Sequence, residues 1–335
     1  MIARLFAAAL TVILAAAVFI LAWPQLFALE WSVPVAQAVS FRAFAVIGSA
    51  VALLVLLVLA IFSAGARRST GSIAIVFVVF GAVSLAVLAS RGTGDEDFAT
   101  KRDSAITVLS WNTLDGAPGA QAVADLALDA DADVLTLPET NRETGDAIAA
   151  IMAEAGRPMT VFAVTLDESN TASSTALLVS AGLGGYTLRT DVGDTSVAAT
   201  LVAVPDGGSG PTIIAAHTMA PLPSAMDDWR SDLTWLADIC TGNTIMAGDF
   251  NATVDHMSRL ATTDGAALGE CADAAMVTNN AAVGTWPSNM PPLLATPIDH
   301  VLATDSWRVT GMKVIDTVDD LGSDHRPILA QLSPR

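Results

Sequence analysis

Lysine is almost absent from this chain. Of its sixteen basic residues only Lys101 and Lys313 are lysines, against thirty-four acidic ones, for a formal charge of −18. Proteins that grip long nucleic acids present a basic face, because neutralising phosphates supplies most of their non-specific affinity. Such a face is hard to build here, which disfavours extended duplex binding. Charged residues of all kinds are also scarce, at 15% against a typical figure of about 25%. With 53% hydrophobic residues and a mean hydropathy of +0.54, the composition excludes a disordered chain and sits badly with a purely soluble one. There is one tyrosine, Tyr186, and there are two cysteines and four histidines, with no Cys/His cluster at zinc-binding spacing.

The charge is divided unevenly along the 335 residues. Residues 1–100 hold five basic and four acidic groups, whereas residues 101–335 hold eleven basic and thirty acidic ones. An apolar, nearly neutral third therefore precedes an acidic globular part long enough for one large core. In the apolar third, Leu5–Leu21, Ala43–Ala66 and Ser72–Ser90 carry no charge. They predict three transmembrane helices, at about 5–22, 43–65 and 72–90, within a membrane region 1–90. The alternative for the first, a signal peptide cut at Ala36-Gln37-Ala38, leaves an unusually long gap between the apolar run and the cut. Arg4 and the Arg67-Arg68 loop favour a multi-pass protein of the cell membrane with its large domain outside, although Arg42, Arg91, Lys101 and Arg102 make the other side almost as basic.

Residues 91–104 (RGTGDEDFATKRDS) read as a polar tether, and Asp95-Glu96-Asp97 within it as solvated charge, not a calcium loop. Fully extended, it reaches about 45 Å and keeps the domain near the bilayer. Cys240 and Cys271 lie 31 residues apart. They read either as a disulfide or as two buried thiols, and an outward domain favours the bond.

From Ile106 onward, apolar runs of strand length end on polar residues. Ile106–Trp111 runs into Asn112, Val134–Leu137 through Pro138 to Glu139, Thr212–Ala216 to His217, and Thr244–Ala247 to Asp249 and Asn251. Asp299 opens a run to Leu302, and Asp324-His325 opens Pro327–Leu332. Helical segments at Gln121–Leu128, Glu143–Ala155 and Asp227–Ile239 alternate with them, giving α/β layering with polar groups gathered at one sheet edge. Singly, each Asp could cap a turn and each His could pack in a core. Together, four carboxylates, two histidines and two asparagines form the set that Mg²⁺ and phosphate chemistry need.

The ordered motifs SWNTL (110–114), DVLTLPET (133–140), AAHTMAP (215–221), MAGDFNAT (246–253), PIDHVLAT (297–304) and GSDHRPILAQL (322–332) resemble the endonuclease/exonuclease/phosphatase superfamily, in a membrane-anchored bacterial form. The resemblance covers 105–335 and implies a DNase I-like four-layer αββα sandwich of two packed mixed sheets. It also implies Mg²⁺, or Mn²⁺ in its place, held by Glu139 with Asn112 beside it and Asp324 as ligand or neighbour. His325, oriented by Asp299, resembles the superfamily's His–Asp pair, and Asp249 and Asn251 would orient water and hold a phosphate oxygen. His217 would bond the phosphate or protonate the leaving group. Either His325 or Asp249 could take the water's proton. Pro138 stands where a Gln is common, and Leu114 where abasic-site enzymes have Asp; Glu168 is the candidate carboxylate for His217.

Three residues fall outside that assignment. His256 is expected on a helix surface, and His300 on the strand face opposite Asp299. Trp286, in GTWPSNMPPLL, reads as core packing or as a rim aromatic. The whole predicts a Mg²⁺-dependent phosphodiesterase or phosphatase, with the lipid bilayer and a phosphoester substrate as partners and no obligate protein partner. A small or lipid phosphodiester fits the charge better than DNA. An extracellular nuclease and a non-catalytic tethered binding module are the alternatives.

Overall fold

The computed structural model describes the chain apart from Met1, Ser63, Asp95, Glu96, Glu168 and Ser169, and apart from the side chains at 2–4, 6–7, 64–69 and 171. It forms two compact units, Met1–Ser90 and Arg91–Arg335.

The first unit is helical, with long helices Ile2–Ala22, Arg42–Phe62 and, running into the second unit, Ala64–Arg91. Two stretches, Arg42–Phe62 and Thr70–Arg91, are long and apolar enough to cross a membrane. Only 6% and 11% of them is buried, unlike the core helix of a soluble domain. Among the described residues of the first helix the apolar stretch is Ala8–Ala22, shorter than the other two. The expectation of three spanning helices is thereby corrected to two of spanning length among the described residues. Ala36-Gln37-Ala38 lies in a short helix, Val35–Ser40, with Ala36 fully buried, unlike an exposed cleavage site.

The segment read as a tether is bonded to the second unit. Arg91 forms a buried ion pair with Asp255 at 2.7 Å, Gly94 N–H donates to Asn279 O, and Ala99 N–H donates to Thr310 O. Gln331 donates to Ala99 O, and the Lys101 ammonium reaches Asp131 and Asp133. Of the acidic run, Asp95 and Glu96 lie outside the described residues. Composition signalled a loose linker here, but these polar groups find partners on the domain.

Among the described residues twelve strands follow: β1 (Ile106–Ser110), β2 (Val134–Pro138), β3 (Met159–Thr165), β4 (Ser174–Ser180), β5 (Tyr186–Arg189), β6 (Leu201–Pro205), β7 (Thr212–His217), β8 (Thr244–Asp249), β9 (Ala272–Asp273), β10 (Asp299–Ala303), β11 (Trp307–Val314) and β12 (Ile328–Pro334). They form two mixed six-stranded sheets, ordered β11-β12-β1-β2-β4-β3 and β5-β6-β7-β8-β10-β9. In each, one parallel pair (β1 with β2, β7 with β8) sits among antiparallel neighbours.

Val108, Val134 and Leu177 of the first sheet pack against Ile213, Ile245 and Val301 of the second. On the first sheet's other face, Leu109, Leu135 and Leu137 pack under helices Ala120–Asp129 and Arg142–Glu154 through Val123, Ala127, Ile148 and Met152. Helix Met226–Ile239 buries Trp229, Leu233 and Leu236. Apolar residues on both faces explain why the central strands read as continuous apolar runs. Each fully buried Leu or Ile contributes about 1.5–3 kcal/mol.

Cys240 and Cys271 are joined in a disulfide with a Cα–Cα distance of 5.9 Å. Closing a loop of this separation, 31 residues, stabilises by about 3–4 kcal/mol on the chain-entropy model. Reduction, or Cys240→Ser with Cys271→Ser, is expected to lower the melting temperature by roughly 10 °C, read by calorimetry. An unchanged midpoint would mean the bond adds nothing.

Candidate active site

Sheet register brings the polar strand ends together. Asp249 ends β8 level with His217 on β7 and with Asp299 on β10. From the facing sheet, Asn112 and Glu139 follow the ends of β1 and β2, and Asp324-His325 precede β12. Gly248 is required: its φ is +151°, and a Cβ would lie 1.9 Å from Ala216 O. Glu139 and Asn251 also have positive φ, +56° and +45°. That conformation is costly for glutamate and tolerated by asparagine, and strain of this kind concentrates at functional sites.

Hydrogen bonds close the constellation. Asn112 Nδ2 donates to Glu139 Oε1 at 3.0 Å and across the sheets to Asp249 Oδ2 at 3.1 Å. His325 Nδ1 bonds Asp299 Oδ2 at 2.9 Å, and its Nε2 stands 3.7 Å from Asp249 Oδ2. Asn251 N–H donates to Asp249 Oδ1, and its side chain to Thr218 O. Asp299 Oδ1 and Asp324 Oδ1 are buried with no hydrogen-bond partner among the described residues. Asp249, Asp299 and His325 each offer an atom within 4.8 Å of the others, close enough to hold a metal.

Burial acts on the titrations. It pushes the Asp249 carboxyl up to about 7, with Asp299 adding repulsion, against the attraction of His325 and the bonds from Asn251 and Asn112. Burial pulls His325 down, but Asp299 and Asp249 outweigh it and raise the imidazole to about 10. Burial and the His325 charge push His217 down to about 3. Burial raises Glu139, and the charges of Asp324 and Asp115 add to it, against the Asn112 bond and His325. At neutral pH the site thus holds a cationic His325, a neutral His217 and an Asp249 near its midpoint.

The eight residues singled out for chemistry (Asn112, Glu139, His217, Asp249, Asn251, Asp299, Asp324 and His325) all lie at this end of the two sheets. Glu168 is outside the described residues, and Thr175 Oγ1 faces His217 Nδ1 at 3.4 Å. Sequence reasoning passed over Ser323, which donates to Asn112 O and accepts from His325 N–H; its place in the GSDHRP motif was the signal. Trp286 belongs to the site's support, since its Nε1–H donates to Asp324 Oδ2 at 2.9 Å. Arg326 bonds the carbonyls of Ser288 and Met290 and so staples the Trp286 loop to the same motif.

His256 is not on a surface. It is fully buried edge-on to Trp229, and its Nδ1 accepts from Thr253 N–H in a capping box. His300 packs on the face opposite Asp299, with Nδ1 2.6 Å from Asp273 and Nε2 2.8 Å from Ala252 O. Facing two acceptors it is an imidazolium: burial lowers its pKa, but the Asp273 charge and bond prevail and raise it.

Humanized D. rerio TDP2 carrying 14 mutations is similar in structure, at 15% identity and a TM-score of 0.52, over 69% of this chain and all of that one. D. rerio TDP2 complexed with a single-strand DNA product follows at 16% identity and 0.50, over 69% and 100%. The Beutenbergia cavernae endonuclease/exonuclease/phosphatase gives 18% and 0.49, over 69% of this chain and 72% of that one. At such identities the likeness shows the fold alone. No curated protein matches the sequence significantly. The Endonuclease/Exonuclease/phosphatase family model matches residues 109–325. That match takes in all eight residues of the site and most of the chain, which therefore belongs to the endonuclease/exonuclease/phosphatase family of metal-dependent phosphoester hydrolases.

Proposed function

We propose that the chain is a membrane-anchored, Mg²⁺-dependent phosphodiesterase whose catalytic domain lies outside the membrane and hydrolyses a small or lipid phosphodiester. The observation that carries this reading is the junction of the two sheets, where Asn112 links Glu139 to Asp249, beside the His325–Asp299 pair.

The oxygen donors at Glu139, Asn112 and Asp324 suit a hard divalent cation, and the partnerless Asp324 Oδ1 fits a ligand. The Asp249–Asp299–His325 group is the weaker candidate, because His325 Nδ1 already bonds Asp299. Bound at Glu139, Mg²⁺ (or Mn²⁺) would offset charge developing on the phosphoryl oxygens. The cationic His325 Nε2–H faces where a phosphate oxygen would sit, and Asp299 fixes its ring. Asp249, half-ionised at neutral pH, accepts the proton of the attacking water, and Asn251 holds that carboxylate in place. As the water oxygen bonds phosphorus, the P–O bond to the alcohol breaks and the departing oxygen takes its proton from solvent, while neutral His217 donates a hydrogen bond to the phosphate.

Trp286→Phe removes the bond to Asp324 and keeps the ring. It is expected to weaken Mg²⁺ binding about 10–100-fold, read by calorimetric titration. Unchanged affinity would place Asp324 outside the ligand set.

The decisive experiment assays the purified full chain on bis(p-nitrophenyl) phosphate, plasmid DNA and phosphatidylcholine vesicles, with Mg²⁺ or EDTA, beside His325→Ala. Metal-dependent turnover of the first or third substrate, lost in the variant, is the expected result. Turnover of DNA alone, falling steeply with salt, would make the protein a nuclease. No turnover on any would leave a binding module.

A further inference from the structure

Among its described residues the acidic domain exposes few large apolar side chains, and most of them lie toward one end. Among the described residues from Arg91 onward, the exposed ones are Leu114, Leu166, Val197, Leu222, Met276, Val277, Leu293 and Leu321. Leu114 stands two residues past Asn112, Leu222 five past His217, and Leu321 three before Asp324. Leu293 belongs to the loop that carries Trp286, and Leu166 follows β3 where it pairs beside Pro138 and Glu139. Val197 precedes β6 at the His217 end of the sheet, whereas Met276 and Val277 stand apart, just after β9, which pairs with Leu302 and Ala303 at the end of β10 away from Asp299. The loops at the other end, 102–104, 130–133, 181–185, 206–211, 240–243 and 304–306, expose none.

Scattered single apolar side chains are normal on a surface, but a concentration of six in the loops around one site marks an interaction face. We infer that the loops framing the active site, led by Leu114, Leu222, Leu293 and Leu321, form an apolar rim that rests on a lipid bilayer and presents a phospholipid headgroup to the site. This rests on the membrane-anchored phosphodiesterase reading.

Chain geometry favours the bilayer over a protein partner. The second helix of spanning length ends at Arg91, whose guanidinium is paired with buried Asp255. Asp255 lies four residues past Asn251, so the residue that receives the Arg91 guanidinium is within about 14 Å of an active-site residue. With Arg91, Gly94, Ala99 and Lys101 each bonded to the domain, the segment after the helix end is held against it at four described positions.

Charge narrows the lipid. Asp115 adjoins Leu114, Asp319 and Asp320 adjoin Leu321, and residues 101–335 carry thirty acidic against eleven basic groups. An anionic surface would repel this rim, so a zwitterionic one is its match.

The test uses the full chain in phosphatidylcholine nanodiscs, its native disulfide intact, with a bimane label at Leu222→Cys, at Leu293→Cys, or at Ser209→Cys at the far end. Brominated-chain phosphatidylcholine is expected to quench the first two labels and spare the third, and replacing a third of the lipid with phosphatidylglycerol to reduce that quenching. Labels at 222 and 293 as unquenched as the one at 209 would overturn the rim, even if vesicle lipid is hydrolysed. Quenching without lipid hydrolysis would keep the rim and remove the substrate reading. Leu222→Ser with Leu293→Ser is expected to lower the ratio of vesicle-lipid to bis(p-nitrophenyl) phosphate turnover about tenfold. An unchanged ratio counts against delivery of the headgroup by the rim.

Discussion

Asp249→Asn is expected to lower kcat by about 10²–10⁴-fold while leaving the fold intact. The asparagine keeps an oxygen for the Asn251 N–H but turns its own amide N–H toward the Asn112 donor, so a modest fall in melting temperature is expected beside the loss of rate. What it removes is the proton acceptor. In the native enzyme that acceptor works only as the carboxylate, so the rate falls as pH drops through the raised pKa of Asp249, about 7. His325 works as the cation, so the rate falls again as pH rises through about 10. The two limbs belong to the coupled pair, and Mg²⁺ at Glu139 favours the carboxylate and moves the acid limb below 7. A kcat profile against pH for both proteins checks this. The variant should lose the acid limb. If His325 were the base, the native rate would keep rising toward pH 10, and Asp249→Asn would cost little.

The site was more legible than its surroundings. Asn112, Glu139, His217, Asp249 and Asp299 could be placed because each interrupts or ends an apolar run, and strand ends in a layered α/β fold share an edge. The register that sets Asp249 level with both His217 and Asp299 is long-range, and no local pattern encodes it. Strands β5 (YTLR) and β9 (two residues) are too short or too polar for a run to betray them. His256 looked like a surface residue because DHMSRL is polar. In the fold, its ring caps the backbone of Thr253 and is buried against Trp229, partners that sequence spacing does not show. Residues 91–104 carry the composition of a tether, yet Arg91 meets Asp255 and Lys101 meets Asp131 and Asp133. Composition reports the solubility of such a segment and says nothing of the ion pairs waiting 30 or more positions away.

Glu139→Gln is expected to separate the two places a cation could sit. If the ion rests on Glu139 with Asn112 and Asp324, losing the carboxylate charge should weaken Mg²⁺ binding at least as much as losing a supporting residue does, on the order of 10–100-fold or more. The glutamine still accepts the Asn112 Nδ2–H bond, so the link across the sheets survives. Two measurements check it: calorimetric titration of Mg²⁺, and the rise in melting temperature that Mg²⁺ brings to the protein without substrate. In the variant both should nearly vanish, and activity should return in part at high Mg²⁺. An ion held instead by Asp249, Asp299 and His325, whose ligand atoms lie within 4.8 Å of one another, would bind the variant almost unchanged. That ion would also have to break the 2.9 Å bond between His325 and Asp299 and be repelled by an imidazole held cationic to about pH 10. At Glu139 no such bond has to break, and although the His325 charge reaches that carboxylate too, Asp324 and Asp115 add negative charge that a divalent cation neutralises.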